Sequence, residues 1–587
     1  MRMPSYDKRP VVAVPYSDGC AVHGWDAIAD RLTKGLPRPA GNRLVVAVEC
    51  YPGVDERTII AALVSRLRPA ATFSTAEALS SPERVEALVA PFLGGDDPVF
   101  GFLCNLTLSQ FFDADRLAGY RSHIEGVRSG LVLVVGCGAI LVAEPDLLVY
   151  ADLARWEAQL RFRRQESGNL GANNRSLSAS LKYKRAFFVD WRVADRWKHP
   201  LLARADFFLD IHVNTEPKMA EGEAIRRGLR HASGRPFRVV PFFDPAPWGG
   251  QWMKEMCDLD HSAPNFGWCF DCVPEENSLL LRIGAIEIEL PSIDLVFDQP
   301  RRLLGEAVHA RFGDEFPIRF DFLDTMDGGN LSFQVHPLTE YIQRHFGMHY
   351  TQDESYYILD AGPDSSVYLG LREEVDPGLM LSALRAAQAG GPAFPAEQFA
   401  NRWPAAPHDH FLIPAGTVHC SGRNTMVLEI SATPYIFTFK LWDWGRLGLD
   451  GKPRPIYLDH GAANICWERT TEWTRKNLIN AFTPVASGDG WNEERTGLHD
   501  REFIETRRHR FTSTVSHHTA GGLNVLNLVS GQEAVVESPD GAFEPFVVHY
   551  AETFIVPAAV GPYTIRPHGA VLGQECITIK AFVRCQA

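Results

Sequence analysis

Four side chains in the second half of the chain have the types and local spacing to hold a metal cation. Gln334 and His336 stand two apart in Leu331-Ser332-Phe333-Gln334-Val335-His336-Pro337. In an extended strand side chains alternate faces, so these two point the same way. Glu354 opens the aromatic run Glu354-Ser355-Tyr356-Tyr357-Ile358-Leu359, and His419 closes Pro414-Ala415-Gly416-Thr417-Val418-His419, just after a tight turn. Converging from three strands of a small barrel, two imidazoles and one or two oxygen donors suit a catalytic zinc that keeps a position open for water or substrate. Rival ligands exist in a chain with 20 histidines. His408 and His410 share a strand face but precede the turn. His345 and His349 are spaced for one helix face without a flanking Glu. Cys269 and Cys272 form a CxxC with no second pair to complete a zinc knuckle.

Such ligands need a β framework. From Phe237 onward short β runs are punctuated by Gly, Pro, Asn and Asp, the texture of a sandwich or barrel. A helix over Leu379–Ala389 interrupts it. Phe411-Leu412-Ile413-Pro414-Ala415 is echoed by Phe554-Ile555-Val556-Pro557-Ala558, each ending an apolar strand in a Pro-containing turn. The echo predicts two related barrels in tandem. Pro562 stands where the first copy has His419, so the second barrel is expected to lack metal ligands and to supply structure and part of a cleft wall. Before about residue 205 the texture differs: buried strands at Val45–Val48 and Leu131–Val135 alternate with helical spacing over Asp55–Leu67 and Pro82–Phe92, which predicts a parallel α/β sheet. The expected fold is therefore multidomain, with an α/β domain over 1–205, a metal-binding barrel over 206–460 and a second barrel over 461–587.

The QVHP segment, Glu354 before Ser-Tyr-Tyr-Ile, and PAGTVH, followed by Leu428-Glu429-Ile430 and Leu441-Trp442-Asp443-Trp444, together resemble the signature of type I mannose-6-phosphate isomerases. Pro241-Phe242-Phe243 and Trp248-Gly249-Gly250 resemble that family's opening strand. The similarity covers roughly 235–460 well and the C-terminal stretch loosely. It implies a cupin barrel whose metal ligands are Gln334, His336, Glu354 and His419, with one Zn2+ per chain or another divalent metal in its place. It also implies an intramolecular oxidoreductase, an aldose–ketose isomerase interconverting mannose 6-phosphate and fructose 6-phosphate, or a related sugar or sugar phosphate, through an enediol. Glu429 aligns with a glutamate suited to act as base, and Lys440 stands where the family generally has a catalytic arginine. Lysine keeps that charge but loses the planar two-pronged donor. The family also usually carries lysine two residues before the metal-binding Glu, where this chain has Gln352. These two departures point to an alternative, a sugar-phosphate sensor that keeps the metal site without turnover.

In the first domain, Leu131–Gly138 and Asp146–Asp152 resemble late strands of uridine-kinase-like P-loop proteins, with Arg161-Phe162-Arg163-Arg164 in a lid-like helix. A working P-loop needs Gly-x4-Gly-Lys-Ser/Thr. The equivalent Glu49-Cys50-Tyr51-Pro52-Gly53-Val54-Asp55 has Val54 for the lysine and Asp55 for the hydroxyl, and Pro52 lacks an amide donor. The resemblance thus implies a kinase fold without ATP chemistry, in a binding, regulatory or dimerising role.

Bulk properties set the outer limits. At 587 residues the chain exceeds one core. With 45% hydrophobic and 22% charged residues its composition is that of a globular protein. A net charge of −14 argues against a large nucleic-acid surface. No apolar run is long enough for a membrane helix, and the N-terminus lacks a signal-peptide pattern. Eleven dispersed cysteines fit reduced thiols in the cytoplasm. The expected partner is a small sugar or sugar phosphate, with no nucleic acid and no membrane; oligomeric state has no sequence signal.

Overall fold

The computed structural model describes residues 5–37, 43–432, 437–497 and 502–585. The chain divides into two compact units: an α/β unit of Val11–Ala232 with Glu276–Gln299, and a β unit of Met1–Pro10, Ser233–Glu275 and Pro300–Ala587.

In the α/β unit, five parallel strands, β1 (Arg43–Cys50), β2 (Ala71–Ser74), β3 (Gly130–Gly136), β4 (Leu147–Asp152) and β5 (Phe207–Asp210), pair in the order β2-β3-β1-β4-β5. β6 (Lys218–Glu221) extends the sheet antiparallel beside β5. The central strands are continuous apolar runs because both faces are covered: Val46, Val48, Leu133, Val135 and Val149 share one core with Ile59 and Leu63 of helix α1 (Glu56–Leu67). Asp55 caps that helix, accepting from Thr58 N. The predicted helix over Pro82–Phe92 is an α-helix to Val89 followed by a 3-10 turn over Ala90–Phe92.

This unit does not end at 205. β5 and β6 lie beyond that point, and Ser278–Ile283 and Ile286–Pro291 return to it as a sheet with Val11–Ala13. Short runs such as Phe207-Phe208-Leu209-Asp210 have no feature in the sequence that separates them from barrel strands; only their pairing assigns them to this sheet.

The β unit holds two pairs of antiparallel sheets. The first pair comprises β7 (Phe242–Asp244), β8 (Trp268–Cys272), β9 (Arg319–Asp324), β10 (Phe333–Val335), β11 (Glu354–Ala361), β12 (Ser366–Leu371), β13 (Ala400–Pro404), β14 (His410–Ile413), β15 (His419–Ser421), β16 (Thr425–Ser431) and β17 (Phe439–Trp442). These make one sheet in the order β14-β11-β16-β9-β8-β7 and another in the order β13-β12-β15-β10-β17. The predicted helix in this region runs Pro377–Gln388, capped by Asp376. The second pair comprises β18 (Thr483–Gly488), β19 (Trp491–Gly497), β20 (Ile504–Phe511), β21 (Val515–His518), β22 (Asn524–Ser530), β23 (Glu533–Glu537), β24 (Phe546–His549), β25 (Thr553–Val556), β26 (Pro562–Pro567) and β27 (Cys576–Val583). They are ordered β18-β19-β20-β27-β22-β25 and β21-β26-β23-β24. Phe511, Leu526, Leu528 and Phe554 of the larger sheet share a core with Val536, Val548, Tyr563 and Ile565 of the smaller. The cysteines within the described residues are all free. No helix among these residues is long and apolar enough to cross a membrane.

Candidate metal centre

Strand register brings the predicted ligands together. Gln334 on β10 lies directly opposite His419 at the head of β15, and His336 follows β10 immediately. Glu354 opens β11 in the other sheet. His336, Glu354 and His419 are all buried and offer ligand atoms within 4.8 Å of one another, the one such group of three among the described residues. Glu354 lies 3.1 Å (Oε2) from His336 Nε2 and 3.0 Å (Oε1) from His419 Nε2. His336 Nε2 and Glu354 Oε1 nevertheless lack a hydrogen-bond partner among the described residues. The donor atoms thus lie close together with bonding capacity left over, an arrangement that could hold a cation.

The outer partners support the same reading. His336 Nδ1–H donates to the Phe437 carbonyl and His419 Nδ1–H to the Thr417 carbonyl, each at 2.8 Å. Both tautomers are thereby fixed with Nε2 lone pairs turned inward, as metal-binding imidazoles require. The carboxamide of Gln334 lies 3.2 Å (Nε2) from His419 Nε2. Rotating the amide by half a turn puts Oε1 there, the atom a cation takes, and amide orientation is an assignment made from partners. Burial alone would raise the Glu354 carboxyl, yet His336 and His419 hold it well below the usual carboxylate range. His336 is raised, because Glu354 outweighs burial, while burial lowers His419.

Glu429 and Lys440 flank this group. Glu429 on β16 is paired with Tyr356 of β11 on one side and Asp321 of β9 on the other. Directly paired residues share a face, so Glu354, Tyr356, Glu429 and Asp321 line the same side of their sheet. Burial first, then Glu354 and Asp321, pushes the Glu429 carboxyl well up. Gln352 joins the two glutamates: its Nε2 donates to Glu354 Oε2 at 3.0 Å and to Glu429 Oε1 at 3.2 Å, and its Oε1 accepts from Phe437 N at 2.7 Å. Lys440 on β17 sits opposite Gln334. Burial and then Arg454 push its ammonium down to about 8, against the pull of Asp443. Arg446, six residues beyond Lys440, is committed to Asp443 (Nε to Oδ1, 2.9 Å), which also holds Arg454 at 2.7 Å.

Part of the chain has named relatives. Mannose-6-phosphate isomerase ManA of Bacillus subtilis is 26% identical over 225 residues, 38% of this chain and 65% of that protein. The probable mannose-6-phosphate isomerase GmuF of the same organism is 28% identical over 234 residues, 38% and 66% respectively. The curated relatives are mannose-6-phosphate isomerases. This chain spans just under two thirds of the length of these two. The solved mannose-6-phosphate isomerase from Bacillus subtilis aligns with a TM-score of 0.48 at 17% identity, over 59% of this chain and 99% of that one. Separately, a family described as "Domain of unknown function (DUF8485)" matches residues 24–234, which fall almost wholly in the α/β unit.

The rival histidines go elsewhere. His408 Nδ1 bonds the Tyr357 hydroxyl at 2.9 Å, and His410 packs edge-on against the Tyr357 ring. His345 stacks on Tyr341, and His349 faces Glu315 at 3.4 Å. Cys269 and Cys272 are buried free thiols in β8. Two residues of the site were missed as participants. In the sequence Gln352 stands out only as a departure from the family pattern, whereas an Asp between two Phe inside the strand Arg-Phe-Asp-Phe-Leu-Asp is a signal for a buried carboxylate at Asp321.

Proposed function

We propose that the β unit is a divalent-metal-dependent aldose–ketose isomerase acting on mannose 6-phosphate and fructose 6-phosphate, or on a closely related sugar or sugar phosphate. The observation carrying this reading is the convergence of His336, Glu354 and His419 on one buried point with Gln334 beside them, in a chain whose relatives bear that name. A cation held by these four residues would supply Lewis-acid polarisation of a sugar oxygen. Glu429, on the same sheet face as Glu354, is positioned to take a proton from one sugar carbon and return it to the next. Lys440 offers positive charge where the substrate's oxygens carry negative charge. The two pairs of sheets are read as tandem cupin-type barrels, the first holding the centre.

A sensor without turnover is the second reading, and Gln352 is the observation that favours it. Its amide ties Glu429, the assigned base, to the ligand Glu354, at a position where the resemblance expects a mobile cation.

For the α/β unit we infer a kinase-like fold without phosphoryl transfer. A cleft of about 450 Å³ lies outside the carboxyl ends of β1 and β3, lined by Pro52 to Arg57, Cys137 and Arg175, where such folds bind ligands. Backbone amides beside it donate to carboxylates of the chain instead of facing a phosphate: Asp55 accepts from Thr58 N, Glu56 from Cys137 N, and Glu49 from Gly138 N and Ile140 N.

The deciding experiment is isomerisation of mannose 6-phosphate by the purified chain, with chelator and then with added zinc. Turnover removed by chelator and restored by zinc, and absent in His419→Ala together with the bound metal, is the expected result. A metal-loaded protein inert toward phosphorylated and free aldoses, yet binding them, would move the reading to the sensor.

A further inference from the structure

The second pair of sheets, expected to lack metal ligands, holds two buried imidazoles that have no partner for a ring nitrogen. His509 stands on β20 of the larger sheet and His517 on β21 of the smaller. Their rings meet at 4.4 Å between centroids, inclined at 70°. Both residues are buried, and His509 Nδ1 and His517 Nε2 have no hydrogen-bond partner among the described residues. Buried polar atoms are nearly always satisfied, so an unpartnered nitrogen on each of two touching rings calls for an occupant.

The surroundings of each ring bear on which nitrogen is left for binding. Glu493, paired with His509 across β19 and β20, brings Oε1 to 3.1 Å from His509 Nε2. That carboxylate fixes the Nε2–H tautomer and leaves Nδ1 with its lone pair free. A carboxylate behind an imidazole is the usual outer partner of a metal-binding histidine. His517 is held by stacking on Tyr563, 5.0 Å between centroids at 12°. The Tyr563 hydroxyl donates to Asn524 Oδ1 at 2.8 Å and is not available to His517. Burial keeps both rings neutral, pushing His509 down to about 4 and His517 well below its ordinary value.

We propose that His509 Nδ1 and His517 Nε2 form a second metal site, for a borderline-soft divalent cation such as Zn2+ or Co2+, with Glu493 as outer partner and water completing the coordination. Neutral imidazole pairs suit these ions and not Mg2+ or Ca2+, which take oxygen. The charges facing the site moderate its strength. Arg507 Nη1 lies 3.0 Å and Lys580 Nζ 3.8 Å from the same Glu493 Oε1. With two protein ligands and these cations nearby, the site binds more weakly than the centre at His336, Glu354 and His419. Sugar chemistry plays no part in it.

The test is Co2+ titration of the metal-stripped full chain, followed by absorbance and by metal analysis after gel filtration. Two equivalents per chain are expected, the weaker lost in His517→Phe and in His509→Phe. The double variant His336→Ala/His419→Ala should retain one equivalent, and this arm holds even where a substitution in the second pair of sheets prevents folding. A single equivalent in the unaltered chain, or no metal in the His336→Ala/His419→Ala variant, overturns the assignment. So does a stoichiometry of two that survives loss of both His509 and His517.

Discussion

Glu354 and Glu429 sit on neighbouring strands in a buried space, and two carboxylates so placed repel each other unless something lies between them. Gln352 does, with one amide hydrogen to each and its carbonyl anchored by Phe437 N. Gln352→Leu removes the donor and strands that backbone amide, which costs roughly 1–3 kcal/mol for buried groups left unsatisfied. The expected outcome is a lower thermal midpoint with metal retained, and a kcat reduced about tenfold if Glu429 drifts enough to lose about 1.4 kcal/mol of transition-state stabilisation. A variant with unchanged melting and unchanged kcat would remove Gln352 from the site. At this scale the grouping of His336, Glu354 and His419 was legible because each has both a distinctive type and a fixed strand or turn offset. Gln352 and Asp321 were not legible as participants, since their roles depend on cross-strand pairing, such as Asp321 with Glu429, that no local spacing encodes.

The turn before β15 sets where His419 points. Gly416 adopts φ +88, a left-handed conformation that costs a residue with a side chain. A Cβ there would lie 2.6 Å from Cys466 Sγ and 3.0 Å from the Asn464 carbonyl oxygen. Gly416→Ala therefore combines backbone strain of about 1–3 kcal/mol with a clash that pushes the turn, and His419 with it. Calorimetry should show a lower melting temperature, and chelator competition a weaker metal, although no ligand has been changed; tight metal binding at wild-type level would mean the turn does not aim His419. The strands around this turn and the α/β strands β1 and β3 were readable from apolar runs and punctuation, and helix α1 from its spacing behind Asp55. The partner of each strand was not, because β9, β11 and β16 are brought together from positions far apart in the chain.

For the molecule as a whole, the chain's path between its units decides what can be cut. The boundary at 205 looks natural by texture, yet a fragment of 206–587 takes β5 and β6 away from their sheet and carries Ser278–Pro291 without the unit those strands belong to. Leu279, Leu280, Leu281, Ile283, Ile288 and Leu290 are at most 1% exposed in the intact chain. Unburying such side chains forfeits roughly 1.5–3 kcal/mol each and presents an apolar patch that promotes association. The fragment is expected to be insoluble or aggregated by light scattering, whereas the full chain is not; a monodisperse, cooperatively melting fragment would show that the 276–299 excursion is dispensable.

One contribution to acid stability follows from a histidine outside the candidate metal centre. His410 on β14 is fully buried, and burial, then Arg508, lowers it to about 3. Above an ordinary value near 6.5 it is neutral in both folded and unfolded chains and contributes no pH dependence. As pH falls below that, the unfolded chain takes up the proton and the native one does not, so the unfolded state is favoured progressively until about pH 3. The sign is a loss of stability on acidification across that window, approaching about 1.4 kcal/mol per pH unit for one proton. Urea midpoints measured on metal-stripped protein between pH 7 and pH 5 should therefore fall, and His410→Phe, which keeps an aromatic ring against Tyr357, should fall less steeply than the unaltered chain. Equal slopes would mean that His410 takes up its proton without unfolding, and that burial alone does not set its charge.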